Sequence, residues 1–239
     1  MALRMIPQSL SLPLFPLFSR TAHFTPTRFE EVYRMSLKFF LLISIPMASF
    51  FMAWTGPILR LALGQKYLPA IPAMQLPGLG LIPFFLSTLF QYLFAALDQQ
   101  KRFLVSTCVG SGLRLLLLFL LIPLFGFIGP AIAFVCAETV TVSIWIVQLA
   151  RLGFPAHIAS TIWRPLLAGA IMCAVLFSGQ GTPSIVARLG VAALAISVYI
   201  IVLFALKTFS SKELHHVREG MGFVSPFIES WTRKLRRDT

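Results

Sequence analysis

Six long uncharged runs alternate with short polar breaks along the chain, at residues 39–59, 68–97, 103–125, 128–150, 165–177 and 189–206, the third holding Arg114 and the fourth Glu138 as their lone charges. Each can supply roughly 17–25 apolar residues, the length a helix needs to cross a bilayer core of about 30 Å. The fifth is the shortest, and its helix is expected to begin near Ile162. The runs are continuous rather than alternating, and far longer than barrel strands, so helices are expected and a β-barrel is not. The breaks fall at 64–67, 98–102, 126–127, 153–157 and 179–183. The expected fold is an all-α polytopic membrane protein of about six transmembrane helices.

Composition supports the same solvent. The chain is 57% hydrophobic with 23 Phe, and only 12% of residues are charged, about half the share of a soluble domain. Mean hydropathy is +0.84. The net charge of +12 does not point to nucleic acid, because no soluble segment of domain size carries a basic patch interleaved with aromatics. Lys and Arg instead mark the ends of the apolar runs. Counted on alternating sides, fifteen fall on one side: Arg20, Arg28, Arg34, Lys38, Lys101, Arg102, Arg151, Arg164 and seven after residue 206. Three fall on the other, Arg60, Lys66 and Arg188. The bias assigns the rich side to the cytoplasm, with Lys101, Arg102, Arg151 and Arg164 as interfacial basic residues and the C-terminus cytoplasmic.

The chain divides accordingly. Residues 1–19 are apolar but short and proline-rich, and read as a partial transmembrane helix rather than a signal peptide. A cytoplasmic connector follows at 20–38, a first group of helices at 39–155, two C-terminal helices at 156–206, and a basic tail at 207–239. The tail ends in Thr232 to Thr239, "TRKLRRDT", and is either an anchor on anionic lipid or a solvated end that fixes topology.

Within the second run, Pro77, Gly78, Gly80 and Pro83 crowd into nine residues. They predict either an interrupted helix, whose freed backbone groups face a cavity, or a simple proline kink. Arg114 and Glu138 lie within two adjacent spans, each about twelve residues from the turn at Gly126. At 1.5 Å per residue their depths differ by only about 1.5 Å. A charge there costs at least about 2.5–3.5 kcal/mol and should face protein or water. Matched depth on antiparallel neighbours suggests a mutual ion pair; the alternatives are a cavity, where Arg114 would meet an anionic ligand, and snorkelling or spans placed elsewhere.

No catalytic constellation is present. There is no paired-carboxylate motif, nucleophile elbow or phosphate loop. Cys108, Cys136 and Cys173 sit singly in apolar runs, and the four histidines lie in polar segments, so neither a metal nor a cofactor is expected.

The stretch Ala96 to Glu138, "ALDQQKRFLVSTCVGSGLRLLLLFLLIPLFGFIGPAIAFVCAE", resembles the C-terminal half of oligosaccharide flippases, the polysaccharide-biosynthesis branch of the MATE/MOP exporter superfamily. Pro123, Gly126, Gly129, Ala131, Ala133 and Glu138 fit that pattern, while Pro130 departs from its small residue. "LPLFPLFSR" at Leu12 to Arg20 and the stretch from Phe29 to Ala70 are similar to the helices that precede it. The resemblance covers roughly residues 10–155. It implies one lobe, plus two extra helices, of a two-lobe transporter in a bacterial cytoplasmic membrane. Such a transporter carries polyprenyl-pyrophosphate-linked glycan across the bilayer by alternating access. It implies no enzyme activity, a lipid-linked glycan as ligand, and a separate N-terminal lobe or second copy as partner. Small-solute or drug export within the superfamily, and a non-transporting assembly role in polysaccharide synthesis, are the alternatives. Drug export fits less well, since amphipathic cations call for acidic cavity residues and this stretch offers mainly Arg114.

Overall fold

The computed structural model describes residues 2–24, 26–62, 64–154, 158–179 and 185–206. Among them the chain is helical throughout, without strands. The elements are α1 (Ala2–Ser11), α2 (Leu14–Phe24), α3 (Pro26–Ala62), α4 (Ile71–Ala96), α5 (Gln100–Phe125), α6 (Gly129–Arg151), α7 (Ile158–Ser178) and α8 (Ile185–Ala205), with 3-10 turns at Gln65–Ala70 and Gly126–Ile128. Four stretches are long and apolar enough to cross a membrane: Arg28–Arg60, Gln65–Ala96, Gln100–Arg151 and Ala187–Ala205. The third, of 52 residues, is the α5–α6 hairpin folded back at Gly126. Ile162–Ser178 adds a shorter apolar helix. The protein is thus an all-α polytopic membrane protein.

The helices pack in a row. α3 and α4 form the centre; α6 packs on α4, and α5 on α6. On the other flank α7 packs on α3 and α8 on α7. α1 and α2 lie against α4, with α2 also touching α3. Burial follows this order. In the most apolar stretch of α4, 61% is buried, against 11% in the most apolar stretch of the α5–α6 hairpin. The α4 side chains Phe85, Leu89, Phe90, Leu93 and Phe94 fill the core with Tyr33 and Phe40 of α3. The outer face of α5, with Leu115, Leu116, Leu120 and Phe119 (82% exposed), is apolar and uncovered. Such a continuous apolar surface is stable only against lipid or another apolar surface.

The N-terminal segment, expected as a partial span at 1–19, holds two short helices, α1 and α2. Pro13 has no N–H and disfavours helical geometry at Leu12, so the chain turns at these two residues between α1 and α2. The connector expected at 20–38 is helical. From Pro26 onward it is the first part of α3, because Phe29, Tyr33, Leu37, Phe40 and Leu41 recur at helical spacing and are all buried. At 37 residues α3 is about 55 Å long, well beyond the hydrocarbon thickness, and Glu30 meets Arg34 at 3.9 Å on its first turns. The tail at 207–239 lies outside the described residues.

α4 is not interrupted. It runs unbroken from Ile71 to Ala96 through Pro77 and Pro83. The glycines beside the prolines serve packing. Gly78 is buried against Met52 and Phe51 of α3, and Gly80 against Phe134 of α6. Small residues let neighbouring helices approach closely, and the Gln75 Nε2 amide donates across to the Met52 carbonyl at 2.9 Å.

Pro46 and Pro57 also lie inside α3. Pro46 removes the N–H that would serve the Leu42 carbonyl four residues earlier. The Tyr199 hydroxyl of α8 donates to that carbonyl at 3.0 Å. Ser49 Oγ donates to the Gly169 carbonyl of α7 at 3.3 Å. A Cβ at Gly169 would run into Ile45, so α7 and α3 are in close contact there.

Candidate functional site: a polar groove between α4, α5 and α6

The α5–α6 hairpin is set by its turn. Gly126 adopts φ 56° and donates its N–H to the Ile122 carbonyl, a conformation glycine accepts without strain. A Cβ at Gly129 would meet the Leu121 backbone at 2.7 Å, and one at Gly110 would collide with the Thr141 hydroxyl. The two helices therefore lie in tight contact near the turn and again midway along their length. Farther from the turn the Gln148 Nε2 amide donates to Ser106 Oγ at 2.7 Å.

This pairing aligns α5 and α6 so that one polar stripe of each faces α4. The result is a cavity of about 410 Å³. From α5 it is lined by Thr107, Gly110, Ser111 and Arg114, spaced for one helix face. From α6 come Phe134, Glu138 and Thr141 at the same spacing. Ser87, Thr88 and Gln91 of α4 and Gln8 of α1 complete the walls. Phe103 stacks on Trp145 with ring centroids 4.9 Å apart at the end remote from Gly126.

Arg114 and Glu138 both line this cavity. They do not pair: no ion pair joins them among the described residues. The Arg114 guanidinium instead lies over the Phe134 ring, 5.1 Å from its centroid. Phe134 and Glu138 are four residues apart on α6, so ring and carboxylate occupy successive turns of one face. The mutual ion pair expected from their matched depth is therefore not formed. Phe134 packs into the space beside Gly80, its Cε1 only 2.5 Å from where a Cβ on Gly80 would sit.

A cation over an aromatic ring gains about 0.5–2 kcal/mol. That falls short of the cost of about 2.5–3.5 kcal/mol for a guanidinium deep in a bilayer. The remainder must come from water or from a ligand in the groove. Arg114, Ser111 and Gln91 are exposed and Glu138 is half-buried, so solvent or ligand reaches all of them. Buried Trp145 adds an indole N–H with no hydrogen-bond acceptor.

The other residues singled out from sequence stand apart. Lys101 and Arg102 begin α5 and Arg151 ends α6, so these three share the hairpin end away from Gly126 and are exposed. Arg164 lies on α7, its guanidinium 5.4 Å from the Trp163 ring centroid. Pro77, Gly78, Gly80 and Pro83 are not among the groove's lining; Gly78 packs against α3, and Gly80 reaches the groove only through Phe134. Among the described residues no group of three His, Cys, Asp or Glu is placed to hold a metal ion.

Sequence reasoning missed the neutral wall. Thr107, Ser111, Thr141 and Gln91 looked like scattered hydroxyls and amides in apolar runs. Their signal was periodic: Thr107, Ser111 and Arg114 repeat at helical spacing on α5, as Glu138 and Thr141 do on α6.

No curated protein matches the chain. Residues 1–199 match the sequence model of the family described as "Lipid II flippase MurJ". This is a flippase family of the same superfamily, and a transporter family rather than an enzyme family. The match supports the expected class, a flippase for a lipid-linked substrate, and does not carry the oligosaccharide branch that the resemblance favoured. The matched span takes in α1 to α7, the groove and most of α8, and the chain belongs to the lipid II flippase MurJ family of integral membrane transporters.

Proposed function

We propose that the chain takes part in moving a polyprenyl-diphosphate-linked saccharide between the leaflets of a bacterial cytoplasmic membrane, with Arg114 receiving the diphosphate. The observation that carries this is Arg114 itself. It is a cation deep in an apolar hairpin, held over Phe134 and turned into a groove of hydroxyls and amides, with no carboxylate bound to it among the described residues. A diphosphate offers several charged acceptor oxygens to such a fork, and the neutral donors suit sugar hydroxyls. The family's name supplies lipid II as the saccharide carrier; the resemblance of Ala96 to Glu138 keeps a lipid-linked oligosaccharide as the second reading.

The groove is open along one side, and exposed Arg114, Ser111 and Gln91 there could not face lipid tails. A facing wall, from a second helical lobe or a second copy, completes it in this reading. The excess of Lys and Arg on one side of the spans orients the C-terminus to the cytoplasm.

Lipid extracted from the purified chain tests the reading. Wild-type protein taken from bacterial membranes in mild detergent is expected to retain a prenyl-diphosphate saccharide lipid, and R114A to lose most of it. Equal retention by R114A, or retention of amphipathic cations in place of the diphosphate lipid, would overturn it. The mass of the retained lipid separates lipid II from a longer glycan.

A further inference from the structure

Arg114 has two seats available on α6, one helical turn apart, the Phe134 ring and the Glu138 carboxylate. An ion pair and a ring contact are of similar strength where solvent reaches both, and the guanidinium sits over the ring. The ring takes up room left beside it by a glycine. Gly80 has no side chain, and Phe134 fills that space, with Cε1 2.5 Å and Cδ1 2.9 Å from the place a Cβ would take. Val135 also borders Gly80, at 3.4 Å. The ring edge thus uses the room that glycine leaves at position 80, and Arg114 lies over the ring.

We propose that Phe134, seated in the space left by Gly80, is a positioning residue that holds the Arg114 guanidinium off Glu138 and keeps it available to a ligand phosphate. Glu138 is then the competing seat. Without the ring, the carboxylate one turn away can take the guanidinium and leave the site self-paired; with the ring, Arg114 stays in the receptive arrangement. Glycine at position 80 and an aromatic at 134 are the two requirements for the receptive arrangement. The proposal rests on the reading of Arg114 as the diphosphate-binding group, and it assigns roles to three residues, Gly80, Phe134 and Glu138, that the ligand's chemistry alone would not single out.

The test is a binding titration of the full chain in nanodiscs of neutral lipid, with farnesyl diphosphate as the probe and inorganic pyrophosphate as a second one. Four variants are compared: R114A, F134L, F134W and F134L/E138Q. Leucine keeps the apolar volume and removes the ring face. Freed of the ring, Arg114 falls onto Glu138, and binding must first break that pair. F134L is expected to weaken farnesyl diphosphate binding about tenfold, which is about 1.4 kcal/mol. E138Q added to F134L removes the competing carboxylate and is expected to restore most of the loss. F134W keeps a ring and is expected to bind within about threefold of wild type, provided its melting temperature shows it folded beside Gly80.

The rescue is the decisive readout, because a purely structural loss in F134L would not be repaired by a change at Glu138. If F134L binds as wild type does, or if F134L/E138Q stays as weak as F134L, the proposal is overturned while the role of Arg114 stands. If wild type does not bind, or R114A binds equally well, the underlying reading fails and takes the proposal with it. Pyrophosphate competing as strongly as the prenyl compound would assign the site to phosphate alone rather than to a lipid.

Discussion

Replacing Tyr199 with Phe removes one oxygen and tests how α8 is joined to the rest of the fold. The Tyr199 hydroxyl donates to the Leu42 carbonyl at 3.0 Å, and Pro46 has already taken away that carbonyl's helical donor. In the variant the carbonyl is left in an apolar site with no replacement. A buried polar group without a partner costs about 1–3 kcal/mol, whereas interhelical hydrogen bonds in membrane proteins average about 0.6 and reach about 1.7 kcal/mol. Because Pro46 removes the backbone alternative, the upper half of the second range applies, and Y199F should cost about 1–1.5 kcal/mol in reversible unfolding in mixed micelles. The same substitution in a Pro46→Ala background gives the contrast. Alanine restores an N–H at position 46, the helix serves its own carbonyl, and Y199F should then cost no more than about 0.3 kcal/mol. The coupling between positions 199 and 46 is then about 1 kcal/mol, beyond the 0.3–0.5 kcal/mol within which independent sites add. Equal cost of Y199F in the two backgrounds would refute the argument.

Two further perturbations probe the hairpin. Gly110→Val drives a branched side chain into Thr141 and should destabilise by about 1–3 kcal/mol in the same assay, with the farnesyl diphosphate site weakened because Gly110 and Thr141 both line the groove; unchanged stability would mean the helices are not in contact there. On the uncovered face of α5, Phe119→Leu should be silent, while Phe119→Arg should cost up to about 2.5–3.5 kcal/mol and lower the folded yield in membranes. Tolerance of the arginine would argue that this face does not meet lipid.

Much of the fold was legible because lipid forces it. Backbone groups in hydrocarbon must bond within their own segment, so uncharged runs of sufficient length had to be helices, and the Gly126 break had to be a hairpin turn. That turn then placed Arg114 and Glu138 at one depth by counting alone. What the sequence left open depended on neighbours. The prolines of α4 suggested an interruption, yet the glycines between them are filled by Phe51, Met52 and Phe134, and the helix stays continuous. Whether Arg114 would choose a carboxylate or a ring turned on Gly80, which is more than thirty residues away in the chain. The third wall of the groove, on α4, could not be read from the α5–α6 spacing. The helical start of α3 at Pro26 was hidden by its charges, which lie on the outer side of a face whose inner positions are Phe29, Tyr33 and Phe40.

The most direct test of the groove is site-specific photocrosslinking to a polyprenyl-diphosphate saccharide lipid in membranes. A photoreactive residue at Ser111, in the groove, is compared with one at Phe119 on the outer face of the same helix. The account predicts a strong adduct at position 111 that R114A abolishes, and only the background labelling of bulk lipid at position 119. Equal labelling at the two positions, or labelling at 111 that persists in R114A, would contradict it.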